Sequence, residues 1–155
     1  MQELFKNHAS IIIFLHILSA VIWVGGMIAI KFAVHPSIQS IEDPKIRLGK
    51  NLQIVGRLFM LVMPFIAISV ACALIIIKGA GYTGSIVHAK EALWTLMTLN
   101  YAYMFFQRSR AQKFYNNGDM ANAKKMMTLL PTLLLPINIV LGLIAIFLGV
   151  MLRGF

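Results

Sequence analysis

Charged residues are scarce in this chain, and acidic ones are the scarcest. Of the 155 residues only 12% are charged, with five Asp and Glu in total, while 59% are hydrophobic. A soluble domain carries about 25% charged and about 45–50% apolar residues. The chain has too little polar surface for an aqueous environment, so its composition predicts an integral membrane protein.

Cysteine is nearly absent as well, since Cys72 is the only one. A single thiol excludes an intramolecular disulfide and a thiolate metal cluster, and we interpret Cys72 as a small buried apolar residue. Hydrolase arrangements, Gly-rich phosphate loops and zinc-ligand clusters are also missing. Ten methionines suit Cu(I) as ligands. They form no repeated Met-x-x-Met ladder beside His or Cys, so core filling is the favoured interpretation.

Long apolar stretches are what the chain does have. Four of them reach the roughly 20 residues that a helix needs to cross a bilayer. They predict an all-α integral membrane four-helix bundle in a single domain, 1–155, with helices at about 9–34, 52–78, 84–107 and 127–152. The first stretch is far longer than the apolar core of a signal peptide, so we expect a retained helix.

The net charge of +9 follows the predicted topology and does not indicate nucleic-acid binding. Ten of the fourteen Lys and Arg belong to connections 35–56 and 108–127 and their flanks. The positive-inside rule places both connections in the cytoplasm and both termini outside. The basic connections should also attract anionic membrane lipids.

Two ionisable side chains interrupt the apolar stretches. His16 lies about seven residues into the first stretch, roughly 10 Å deep, and Lys90 lies about six residues into the third. Both stretches enter from the same side, so we predict that the two residues meet at similar depth. Intramembrane ionisable residues often mark functional sites. The alternatives are a snorkelling Lys90 and a His16 that merely hydrogen-bonds a neighbouring helix.

The third stretch carries most of the remaining polarity. One helical face combines five residues at helical spacing, namely Lys90, Trp94, Met97, Tyr101 and Met104. Glu91 lies beside this face and either neutralises Lys90 or reaches the interface. His8 and His35 are interpreted as ordinary interfacial histidines. Gly25 and Gly26, after Trp23, permit a close helix contact or a slot for a flat ligand.

Three segments resemble the HemJ family of membrane protoporphyrinogen IX oxidases. LHILSAVIWVGGM is similar to the family's opening helix, IVHAKEALWTLMTLNYAY to its third helix, and LLPTLLLPINIVL to its Pro-Thr-Leu-Leu-Leu ending. The WVGG run also resembles, more loosely, the CopD-like membrane proteins.

The HemJ resemblance implies a bacterial inner-membrane protein that binds haem b and acts in haem biosynthesis. It would oxidise protoporphyrinogen IX, a tetrapyrrole substrate, and pass electrons through quinone to the respiratory chain. His16 and Lys90 would be the functional pair. His16 would be the metal ligand, and Lys90 a second ligand or the partner of a propionate. Trp23, Trp94 and Tyr101 would be walls of the cofactor pocket.

Two other functions remain open at this point. One is a CopD-like copper or haem transport or accessory protein, and the other is a structural membrane subunit whose polar residues only hold helices together. The sequence does not determine whether the chain forms homo-oligomers.

Overall fold

The computed structural model describes residues 2–152, and these residues are helical apart from short connections. We name the helices α1 (Gln2–Gln39), α2 (Pro44–Ala80), α3 (Ser85–Asn116) and α4 (Met120–Met151). No strand occurs in this described part. The all-α prediction is therefore confirmed.

Three helices, α1, α2 and α4, are long and apolar enough to cross a membrane. Helix α3 is not among them, because its apolar residues are diluted by Lys90, Glu91 and a charged last third. The membrane character expected from composition is supported by these three helices. A membrane crossing by α3 stays a prediction.

The helices extend farther than the sequence predicted, so connections 35–56 and 108–127 are mostly helical and their predicted assignment as loops is wrong. The physical reason is capping. The Asp43 carboxylate accepts from Lys45 N at 2.7 Å and from Ile46 N at 3.1 Å, directly before Pro44. These bonds start α2 inside the basic segment.

Asp119 caps the start of α4 in the same way, by accepting from Asn122 N at 3.1 Å. The Asn122 side-chain amide also donates to this carboxylate, at 2.6 Å. These two bonds, the side-chain one foremost, hold the pKa of Asp119 below its usual value. Between Gln2 and Leu152, the connections are residues 40–43, 81–84 and 117–119.

Helices α1 and α2 run antiparallel along most of their length. His16 contacts Ser69, a Cβ at Gly26 would meet Leu58 Cδ1 at 2.9 Å, and a Cβ at Gly79 would meet the Phe5 side chain. A contact ten residues farther along α1 thus meets a residue about ten positions earlier on α2, as expected for antiparallel helices. The glycines let the two backbones approach closely.

Helices α2 and α3 are also antiparallel. Tyr101 Oη donates to Phe59 O at 2.5 Å, and seven residues later Arg108 Nη2 donates to Leu52 O at 2.9 Å. The register is therefore constant, with each step forward on α3 matched by one step back on α2.

Helix α4 packs against both α3 and α1. Asn100 Nδ2 donates to Leu134 O at 2.8 Å, which joins α3 to α4. A Cβ at Gly142 would lie 2.6 Å from Val24 Cγ2 and 3.1 Å from Met97 Cε, so α1, α3 and α4 meet at this glycine.

Aromatic and methionine side chains fill the centre. The Tyr101 ring packs edge-on against Trp23, with centroids 6.2 Å apart, and against Phe59 at 5.3 Å. The remaining core includes four methionines that are nearly inaccessible, Met27, Met97, Met104 and Met127. The prediction that methionine serves as core filler is confirmed for these four, and Cys72 is buried as expected.

One lysine inside the apolar region has a structural role. Residues Leu130–Leu134 adopt a π-helix, in which Leu135 N donates five residues back to Leu130 O. In this register the donor for Pro131 O would be Pro136, which has no N–H. Lys31 Nζ donates to that carbonyl at 2.6 Å and links α1 to α4.

Candidate functional site

His16 is oriented by α2. Its Nδ1 lies 3.1 Å from Ser69 O. A carbonyl oxygen only accepts, so Nδ1 carries the proton and Nε2 keeps its lone pair in the neutral ring. A backbone carbonyl bound to one ring nitrogen is the usual way in which a metal-ligating imidazole is held. The ring is half-buried, so its free nitrogen can reach a ligand.

The register of α2 and α3 brings Lys90 to the level of His16. Eleven residues back from Tyr101 on α3 is Lys90, and eleven residues forward from Phe59 on α2 is Val70, next to Ser69. Lys90 on α3 therefore lies at the level of His16, which contacts Ser69 on α2. The similar depth that the sequence predicted for them agrees with this geometry.

Helix α4 supplies the surface against which the lysine head lies. A Cβ added to Gly149 would be 2.7 Å from Lys90 Nζ, so the amine occupies space that only a glycine leaves free. All four helices therefore contribute to this end of the protein, through His16, Ser69, Lys90 and Gly149.

Glu91 does not pair with Lys90. Its Oε2 lies 3.1 Å from His88 Nδ1, one turn earlier on α3, and both side chains are largely exposed. Of the two roles considered for Glu91, the structure favours the one at the surface. The Lys90 head has no carboxylate partner among residues 2–152.

The predicted pocket walls lie at different depths in the protein. Trp23 and Tyr101 are 4% and 5% exposed and pack against each other in the core, whereas Trp94 is half-buried, one turn from Lys90. Trp94 is thus the aromatic residue best placed beside the lysine. A role for the other two as walls stays a prediction.

Two buried polar atoms near the centre lack hydrogen-bond partners within the described residues. They are Trp23 Nε1 and Asn138 Oδ1, in side chains that are 4% and 1% exposed. Asn138 Nδ2 makes only a long bond of 3.4 Å to Met97 O. A buried donor and acceptor without partners cost free energy unless water or a ligand satisfies them.

No group of three or more His, Cys, Asp and Glu side chains converges within residues 2–152 in a way that could hold a metal ion. Metal binding at this site would therefore depend on one imidazole, one amine and the ligand's own atoms.

Sequence reasoning missed a basic groove at the opposite end of α2 and α3. It has a volume of about 720 Å³ and combines Lys50 and Arg57 with Arg108. In the sequence, Arg108 is only one of the basic residues of connection 108–127 that predict the topology. The signal that could have found the groove is the seven-residue spacing of Gly49 and Gly56, which opens one face of α2 to side chains of α3.

Comparison of the chain with models of known protein families, with curated protein sequences and with solved structures finds no match.

Proposed function

We propose that this chain is a haem b-binding membrane protein of the HemJ type that oxidises protoporphyrinogen IX. The observation that carries the proposal is the orientation of His16, whose Nδ1 is bound by Ser69 O so that Nε2 is free. The position of Lys90 at the same level supports it.

The two side chains have complementary roles in this proposal. His16 would hold the haem iron through Nε2, and bound haem would supply the redox chemistry that oxidation of the tetrapyrrole substrate needs. The Lys90 amine would be either a second ligand or the partner of a propionate. In both cases it would use the space that Gly149 leaves free. Quinone would carry the electrons to the respiratory chain.

The proposed setting is the bacterial inner membrane, with four helices forming a transmembrane bundle and both termini outside. The antiparallel contacts of α1 with α2, α2 with α3 and α3 with α4 support an up-and-down arrangement. In this arrangement α3 also crosses, since Asn100 lies against α4 and Tyr101 against α2.

An absorption spectrum of the purified protein tests haem binding directly. We expect a Soret band for the wild type and its loss in His16→Ala, because the substitution removes a ligand and no backbone constraint. His35→Ala and His8→Ala are matched controls and should keep the band. A band that survives His16→Ala but disappears in His35→Ala would contradict the proposed site. Addition of protoporphyrinogen IX to membranes then tests the oxidase activity by its fluorescent product.

A structural membrane subunit is the second candidate. The observation in its favour is that the His16–Ser69 bond is itself a contact between helices, as is Lys31 with Pro131. Such a subunit has no Soret band, and His16→Ala would lower its thermal stability without changing its visible absorption spectrum.

A further inference from the structure

The basic groove between α2 and α3 carries an inference that does not depend on haem. Its α2 wall is one helical face, with Gly49, Gly56 and Met60 among its members, and its α3 wall contains Arg108 and Tyr115. The two glycines let side chains of α3 lie directly on the α2 wall, because a Cβ at Gly49 would collide with Tyr115 Oη at 2.5 Å and one at Gly56 with the Arg108 guanidinium.

The groove contains three cations and no acidic residue. Lys50 and Arg57 are seven residues apart on α2, about 10 Å along the helix, and both are exposed. Arg108 reaches between them from α3, since it donates to Leu52 O. None of the three is paired with a carboxylate in the described part of the chain.

Arg108 is held in place while part of its guanidinium stays available. Nε and Nη2 donate to Leu52 O at 3.1 and 2.9 Å, and Nη2 also donates to Gln112 Oε1 at 3.0 Å. A guanidinium has five N–H donors, two of them on Nη1. The hydrogen bonds of Arg108 use Nε and Nη2, so Nη1 has no partner among residues 2–152. Such a fixed, partly free fork suits phosphate oxygens.

The position of the groove along α2 indicates whether a bound phosphate belongs to a lipid headgroup or to a free anion. The uncharged run of α2 starts at Leu58, just where the groove ends at Met60. Met60 is 63% exposed, so apolar surface continues directly from the charged end. A ligand with an anionic head and an apolar chain matches both ends, and a free anion matches only one.

We propose that this groove binds the phosphate headgroup of an anionic phospholipid, with its acyl chain running over Met60. Lys50 and Arg57 flank the phosphate, and Arg108 binds it through Nη1. Basic pockets between transmembrane helices are known to bind anionic lipid headgroups in this way.

The experiment is lipid binding to the full chain in detergent, followed by native mass spectrometry with phosphatidylglycerol and phosphatidylcholine. The test variant is Lys50→Gln/Arg57→Gln, and the matched control is Lys124→Gln/Lys125→Gln, which removes the same charge elsewhere. All four side chains are exposed, so folding is preserved. The single variants Lys50→Gln and Arg57→Gln each remove one charge, and they provide a second measurement if the double variant folds poorly.

We expect the wild type to prefer phosphatidylglycerol. The groove variant should bind it about thirtyfold more weakly, as the loss of two near-surface cations implies, with the control unchanged. Equal losses in both double variants, or no loss in the groove variant, would overturn the proposal. So would displacement of the lipid by inorganic phosphate at equal concentration, since that outcome identifies a free-anion site.

Discussion

Gly149→Ala is the sharpest perturbation of the site, because it removes none of the proposed ligand side chains and displaces only one of them. The new Cβ would lie 2.7 Å from Lys90 Nζ. Comfortable non-bonded contacts start at about 3.5 Å, so the amine must retreat by about 0.8 Å. A lysine head is flexible, and the retreat should cost little conformational energy.

Stability and haem binding should therefore respond differently. Replacement of a helical glycine by alanine stabilises a helix by about 1 kcal/mol, which offsets the cost of moving the lysine. A charge-assisted contact of the amine contributes about 1.5–3 kcal/mol. Its loss would weaken haem binding about ten- to hundredfold. Soret absorbance at graded haem concentrations measures the binding, and thermal unfolding in detergent measures stability.

Gly25→Ala is the matched control, because Gly25 is also helical and a Cβ there would meet nothing within 4 Å. We expect the same helix stabilisation in this variant, so it measures the part of the change in stability that comes from the helix alone. If Gly149→Ala binds haem as well as the wild type does, while Lys90→Ala loses it, then the amine does not act from its position above Gly149.

Three further predictions follow from the same structure. Lys90→Arg should fold yet lose haem nearly as fully as Lys90→Ala, because Arg is planar and bulkier than the space above Gly149; retention of haem by the Arg variant would exclude amine ligation. A reporter fused to the C-terminus should be active only if it functions outside the cytoplasm, and activity of a cytoplasmic reporter alone would contradict the proposed orientation. Tyr101→Phe should lower the free energy of unfolding by about 0.5–1.5 kcal/mol, because it removes the bond to Phe59 O, whereas exposed Tyr103→Phe should not. Equal denaturant midpoints for the two Tyr variants would contradict this assignment.

The sequence predicted the helical class and the buried face of α3 because both follow from hydrophobic patterning. Met97, Tyr101 and Met104, placed on one face by their spacing, are all buried. The ends of the helices were predicted poorly. High hydropathy marks only the part of a helix inside the membrane, whereas a helix with a capping residue continues into the polar segment beyond it. Asp43 and Asp119 start helices within segments too polar to count as apolar.

The candidate site was only partly predictable. Counting residues from the start of each apolar stretch gave similar depths for His16 and Lys90, and the register of α2 with α3 agrees. The partners Ser69 and Gly149 were not predictable, because one contributes a backbone carbonyl and the other only the absence of a side chain. Neither contribution leaves a mark in composition or spacing.

The contrast between two lysines shows why Lys90 and not Lys31 is the candidate. Lys31 binds Pro131 O, a carbonyl that lacks a helical donor because of the π register and Pro136, so the fold gives this lysine a structural role. The Lys90 amine has no comparable acceptor among residues 2–152. An amine within an apolar helix face is costly unless something binds it. The helices themselves do not supply that partner. Snorkelling to water and headgroups would supply it, and a ligand beside His16 is the proposed alternative, which the Lys90→Arg variant tests.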